Sequence, residues 1–173
     1  MGCCPKSNSR EIITGSSRKV ELALGFGAFV IYSQLMQTLI ASLVLEIPAA
    51  PPETSNRHFV HKLTVETDPS DVKADLDNGA SGFVVIDARS ADNYRKAHVP
   101  GAKSLPHGTI NAETSADLSK DILLVVYCWS PACNGAAKAC AKLSALGFRV
   151  KEMIGGIEYW RKEGYPIDGT EAG

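Results

Sequence analysis

Apolar and polar positions divide the chain into three regimes. From Leu22 to Leu45 no charged residue interrupts a long apolar run, whereas from residue 58 onward short apolar runs alternate with amphipathic stretches. Ile122-Leu123-Leu124-Val125-Val126 is continuous and β-branched, which predicts a strand buried on both faces. Residues 82–86 predict a second buried strand, 102–105 a short one, and 148–154 a last strand with clear alternation. Residues 58–65 alternate well enough for an edge or half-buried strand. Between them lie helix patterns. Asp68-Pro69 supplies an N-cap and a first-turn proline for a helix through Leu76, stopped at Asn78-Gly79, and Ser90 caps a short helix bearing Tyr94. Residues 136–146 are Ala- and Lys-rich and close at Gly147. Gly155-Gly156 opens a helix carrying Tyr159 and Trp160, with Trp160 read as core. Strands and helices in this order predict an α/β fold, a single domain over residues 59–168 with a small, mostly parallel sheet flanked by helices.

The remainder is appendage. Residues 1–20 are polar, without apolar period, and read as a mobile tail; 47–58, with Pro51-Pro52, read as an extended linker; 169–173 are a short tail. Residues 21–46 read as an apolar helix. At about 1.5 Å per residue it reaches about 36 Å, enough to cross a hydrocarbon core of about 30 Å. Yet Gln34, Gln37, Thr38 and Ser42 form a polar stripe opposite Ile31, Leu35, Leu39 and Leu43, as on a helix that packs on protein. Two readings therefore stand: a membrane anchor, or a helix that docks on this domain or pairs with a second copy. A span would make the protein single-pass, and the basic residues before it would place the domain across the membrane, in oxidising conditions. Without a span the expected location is the cytoplasm. Met1-Gly2-Cys3-Cys4 lacks the Ser or Thr that myristoylation wants at position six, where Lys6 stands.

Composition narrows the chemistry. A chain of 173 residues buries one ordinary core. Lys and Arg number 18 against 19 Asp and Glu, so there is no electrostatic footprint for nucleic acid. Five cysteines, an odd number without paired CxxC spacing, fit reduced thiols rather than zinc or a disulfide framework. His58 and His61 lack a third ligand nearby, so no metal is expected.

The chemistry concentrates in Cys128-Trp129-Ser130-Pro131-Ala132-Cys133-Asn134-Gly135, between the most buried strand and the Ala-rich helix. Unpaired N–H groups and the dipole at a helix start favour a thiolate at Cys128 and an anion beside it, making Cys128 the candidate nucleophile. Asp87 ends the preceding buried strand, and Arg89 follows it. Cys140, among helix alanines, reads as core.

These residues resemble the rhodanese-like sulfurtransferases, whose cysteine opens the loop between the central strand and a helix. Three further matches carry the resemblance: Val84 to Arg89 with its Asp-x-Arg ending, His98-Val99-Pro100-Gly101-Ala102, and Gly155-Gly156 with Trp160. The resemblance covers residues 59–168. It implies that Cys128 takes a sulfane sulfur from a small anionic donor such as thiosulfate or mercaptopyruvate, holds it as a persulfide, and passes it to a thiol or cyanide, without metal or organic cofactor. It also implies that Asp87 and Arg89 support the site wall and that His98 is architectural.

The loop departs from the family pattern. Trp129 stands where thiosulfate-using members often carry Arg, and no cation lies between Cys128 and Gly135, leaving Arg89 and Lys138 as the nearest substitutes in sequence. The loop runs one or two residues longer than the usual six. The fold's phosphatase relatives end a Cys-x5-Arg loop with the Arg that grips phosphate; here Asn134 takes that place, which argues against phosphatase chemistry. Cys133 is an addition that accepts or resolves sulfur from Cys128, or else packs outward or under Pro131. The competing reading is a non-catalytic module of the same fold that binds a partner or senses oxidants through the Cys128/Cys133 pair.

Overall fold

The computed structural model describes residues 42–172. The polar tail and almost all of the apolar stretch at 21–46 lie outside the described residues; residues 42–46, the end of that stretch, form a turn rather than a helix, with the Leu45 N–H donating to Ser42 O at 3.0 Å. Among the described residues no helix is long and apolar enough to cross a membrane. The chain divides into two compact units, one ending at Ala49 and the other running from Ala50. The second carries the fold.

That unit begins with helix α1 (Pro52–Val65), followed by strand β1 (Glu66–Thr67), α2 (Pro69–Asp77), β2 (Phe83–Asp87), α3 (Ala91–Lys96), β3 (Lys103–Ser104), β4 (Leu123–Tyr127), α4 (Gly135–Ala145), β5 (Arg149–Met153) and α5 (Gly156–Lys162). The five strands form one sheet in the order β1-β5-β4-β2-β3, with every pair parallel. The expected α/β class holds, and the sheet is wholly rather than mostly parallel.

Helix α1 corrects the expected linker and the expected strand at 58–65. Pro51 is extended and Pro52 enters the first helical turn, where a missing N–H costs nothing; Glu53 lies in the first turn and Lys62 in the last, each suited to the helix dipole. None of the residues of α1 is buried, so no burial against the sheet selected a strand at 58–65. Strand pairing starts only at Glu66, opposite Glu152.

The sheet is covered on both faces. Period-two alternation along β4 sends Leu124, Val126 and then Cys128 to one face, packed with Ala136, Ala139 and Leu143 of α4; Val125 and Tyr127 face the other, with Val72, Met153, Ile157 and Trp160. Trp160 is fully buried and donates to Pro166 O at 2.6 Å, as its core reading required. The expected C-terminal tail is pinned: Thr170 and Glu171 donate to the carbonyls of Arg95 and Lys96.

Candidate active site

The order of the strands fixes where chemistry can occur. From β4 the chain crosses through α4 to β5 on one side, and from β2 through α3 to β3 on the other. The carboxyl ends of β4 and β2 thus border a point where the connections diverge, the usual ligand position in an open parallel sheet. Cys128 leaves β4 at that point, and Asp87 ends β2 beside it, in register with Tyr127.

Asp87 and Arg89 form a buried wall. The Arg89 guanidinium donates through Nε to Asp87 Oδ1 at 3.0 Å and through Nη2 to Oδ2 at 2.6 Å, and also to Ala97 O. The Tyr127 hydroxyl donates to Asp87 Oδ2 at 2.6 Å and accepts the Val99 N–H at 3.1 Å. Burial, then Asp87, pushes the Tyr127 hydroxyl well above its ordinary range, so it stays a donor. The Trp129 ring lies 4.7 Å from the Arg89 guanidinium carbon, a cation–π contact that lays the indole over the ion pair. Arg89 is only 4% exposed, and its Nε and Nη2 are taken by Asp87 and Ala97 O. It is therefore removed as a substitute for the cation missing from the loop.

The loop is held from two sides. At its start, the N–H groups of Ile157 and Glu158 in the first turn of α5 donate to Cys128 O at 3.0 Å and Trp129 O at 2.9 Å. Gly156 permits this approach: its φ is +61°, and a Cβ there would lie 2.6 Å from Cys128 O. At the other end Asn134 caps α4 without a side-chain hydrogen bond, leaving first-turn N–H groups directed at the loop. Between them the Cys133 N–H donates to Ser130 O at 2.9 Å. This turn swings Cys133 back until its Sγ is 3.0 Å from Cys128 Sγ, ruling out an outward-packed Cys133.

The two thiols share their protons unequally. Burial, and then the hydrogen bond to Cys133, pushes the Cys128 thiol up. Burial alone would raise Cys133 as well, but the Cys128 hydrogen bond, the backbone N–H groups of Gly135 and Trp129, and the Lys138 charge outweigh it and draw Cys133 below the ordinary thiol range. Of the two sulfurs, Cys133 is thus the one drawn toward the anion and Cys128 the one held toward its S–H form. Loop amides favour a sulfur anion here, that of Trp129 at both cysteines and that of Gly135 at Cys133.

Both sulfurs open into a cleft of about 670 Å³ whose lining includes Ser130, Pro131, Ala136, Met153, Gly155 and Gly156. Its rim adds Glu66, Asp68, Glu152 and Glu163 against Lys62. Burial, and then Glu66, pushes the Glu152 carboxyl up.

The sequence pattern of the Rhodanese-like domain family matches residues 68–163. The chain is a member of the rhodanese-like domain family. It is 36% identical over 89 residues to a thiosulfate sulfurtransferase GlpE of Pseudomonas entomophila, covering 50% of this chain and 77% of that one. It is 32% identical over 89 residues to an HTH-type transcriptional regulator of Mycobacterium tuberculosis, covering 51% of this chain but only 39% of the regulator. Among solved structures, the BH2092 protein of Bacillus halodurans matches with a TM-score of 0.69 and 50% identity over 70% of this chain and 88% of that chain. The rhodanese-like domain of the Anabaena Alr3790 protein matches with a TM-score of 0.56 and 27% identity over 61% and 80%.

Within this rhodanese-like domain the structure gathers Cys128, Ser130, Pro131 and Cys133 at one cleft and sets Trp129 apart, over Arg89. Ala132 and Asn134 are exposed. His98 is architectural: its ring stacks on Tyr94 at 3.8 Å, its Nδ1 meets Tyr94 O at 2.7 Å, and its backbone bridges to Asp168. Cys140 is partly buried against the core, and burial, then Glu152, pushes its thiol up to about 12. His58 and His61 lie exposed on α1, and among the described residues no group of His, Cys, Asp and Glu is placed to hold a metal. Sequence reasoning missed His107 and the acidic rim. His107 follows β3 closely, so it too stands at the carboxyl edge of the sheet, which was the available signal.

Gly135 is where the site is tightest. A Cβ there would fall 2.5 Å from Cys128 Sγ and 3.3 Å from His107 Cδ2, so the sulfur and the ring flank the same glycine. Gly135→Ala is expected to leave unfolding free energy within about 1 kcal/mol, since alanine favours the helix, while slowing alkylation and sulfur chemistry at Cys128 on the order of a hundredfold as the sulfur is displaced. Urea unfolding beside a thiol-reactivity assay reads both; unchanged reactivity would mean that Sγ does not depend on the missing methyl.

Proposed function

We propose that this protein is a sulfurtransferase that moves a sulfane sulfur from a small anionic donor of the thiosulfate or mercaptopyruvate type to a thiol or cyanide, through a persulfide on Cys128. The observation that carries the reading is Cys128 at the carboxyl end of the central strand, lining the cleft with its sulfur 3.0 Å from a second sulfur, that of Cys133. The named sulfurtransferase relatives support the same chemistry.

In this reaction the Cys128 sulfur bonds to the outer sulfur of thiosulfate as the bond to sulfite breaks. The Cys128 proton passes to the Cys133 thiolate, so the three negative charges on pair and donor reappear as persulfide and sulfite. Loop N–H groups replace water around the persulfide anion. Lys138 is a cation that favours the Cys133 anion, and the carboxylates lining the cleft oppose a dianion. A low-charge acceptor thiol suits the cleft better than the donor does. The phosphatase route has no phosphate-gripping Arg at Asn134.

Mixing the full chain with thiosulfate in the absence of acceptor is expected to release one sulfite per chain. Neither sulfite from thiosulfate nor pyruvate from mercaptopyruvate would overturn the proposal.

The pH dependence has a defined sign. Because the Cys133 thiol is drawn below its ordinary value, reactivity should rise with pH and level off before that of a free cysteine would. Lys138→Ala removes a positive charge that favours the anion, so the rising limb should move to higher pH. Iodoacetamide alkylation across pH measures it; an unmoved limb would remove Lys138 from the field at the sulfurs.

A further inference from the structure

Cys133 is placed to do more than hold a proton. Its Sγ lies 3.0 Å from Cys128 Sγ, so reaching the S–S bond length of about 2.0 Å requires each side chain to move by about half an ångström. The turn from Ser130 O to the Cys133 N–H sets that approach, and the absent side chain at Gly135 leaves Cys128 Sγ room to face it. An outside thiol must instead enter a cleft whose lining includes Glu66, Asp68, Glu152 and Glu163. Cys140, the remaining free cysteine among those described, packs against the core on α4.

We propose that Cys133 is a resolving cysteine: its sulfur attacks the inner sulfur of the Cys128 persulfide, forming a Cys128–Cys133 disulfide and expelling the sulfane sulfur as hydrosulfide. The inference rests on the persulfide reading above and adds a product to it. The bond between the Cys128 sulfur and the sulfane sulfur breaks as the bond between the two cysteine sulfurs forms. The sulfane sulfur leaves with the bonding pair, reduced by two electrons, and the two cysteine sulfurs together are oxidised by two. The proton that Cys133 took from Cys128 in the first step passes to the sulfane sulfur as it departs, so the ionised persulfide leaves as hydrosulfide and no further proton is required. A dithiol reductant, the chemical class of dithiothreitol, then restores both thiols by exchange. One passage thus converts donor and dithiol into sulfite, hydrosulfide and a cyclic disulfide, without an acceptor thiol in the cleft.

The test follows one turnover of the full chain with thiosulfate, measuring sulfite, hydrosulfide and the mass of the tryptic peptide 121–138. The parent is expected to release sulfite, then an equal amount of hydrosulfide, leaving the peptide two hydrogens lighter; dithiothreitol returns the starting mass. Cys133→Ser is expected to release sulfite, retain one extra sulfur on the peptide, and yield hydrosulfide at least about a hundredfold more slowly, because solution thiols cannot match an attack within one loop. A parent that retains the extra sulfur, or a Cys133→Ser chain that releases hydrosulfide at the parent's rate, would overturn the inference while leaving the sulfurtransferase standing. Absence of sulfite from both chains would overturn the transferase reading, and this inference with it.

Discussion

Cys128→Ser is expected to lower kcat/KM for sulfur transfer by on the order of a thousandfold or more, with little change in stability. Serine keeps the shape and a hydrogen-bond donor toward Cys133, but its oxygen cannot form the sulfur–sulfur bond on which transfer depends. Cys128 is 4% exposed on the face covered by α4, and the swap leaves its hydrophobic neighbours Val126, Ala136 and Ala139 in place. Cys133→Ser should cost far less in sulfite release, because the pair then loses a base rather than its nucleophile. Thiocyanate formation from thiosulfate and cyanide gives the rates, and thermal unfolding gives the control. A Cys128→Ser chain that matches the parent, or a Cys133→Ser chain that is the more damaged of the two in sulfite release, would reassign the nucleophile.

Asp87→Ala should produce the largest loss of stability, about 3–5 kcal/mol, because it strands a buried guanidinium without its partner. Asp87 is fully buried, Arg89 nearly so, and three groups converge on the carboxylate: the Arg89 side chain, the Arg89 N–H at 2.9 Å, and the Tyr127 hydroxyl. Truncation leaves all three with an empty acceptor. Tyr127→Phe is the milder comparison, at about 1–3 kcal/mol, since it mainly orphans the Val99 N–H. The same change at Asp87 frees Arg89 from beneath Trp129, so the loop should lose order along with the fold. Urea titration checks the magnitudes; a loss at Asp87 no greater than that at Tyr127 would show that Arg89 finds water or another acceptor.

The strands that place the site were legible because their side chains are buried on both faces. Continuous runs such as 122–126 leave little alternative, and the position of Cys128 in the turn to α4 followed from them. The Asp87–Arg89 pair was legible for a related reason, since adjacent opposite charges at the end of a buried strand can persist only together. Helix α1 was not legible. Its apolar residues touch no core, so their spacing was under no packing constraint, and Pro52 at the first helical turn looked the same in sequence as a proline in a linker. The contact between Cys128 and Cys133 depends on a backbone turn within the loop, which spacing alone leaves open. The acidic rim required the sheet order: Glu66 meets Glu152 only because β1 pairs with β5, a partnership between strands far apart in sequence.

The two tryptophans of the chain occupy contrasting surroundings. Trp160 is sealed from solvent, whereas Trp129 is 44% exposed and adjoins Cys128 in the chain. Emission that responds to quenchers or to the oxidation state of the neighbouring sulfurs therefore originates from a single indole, and the protein carries its own optical reporter one residue from the reacting atom.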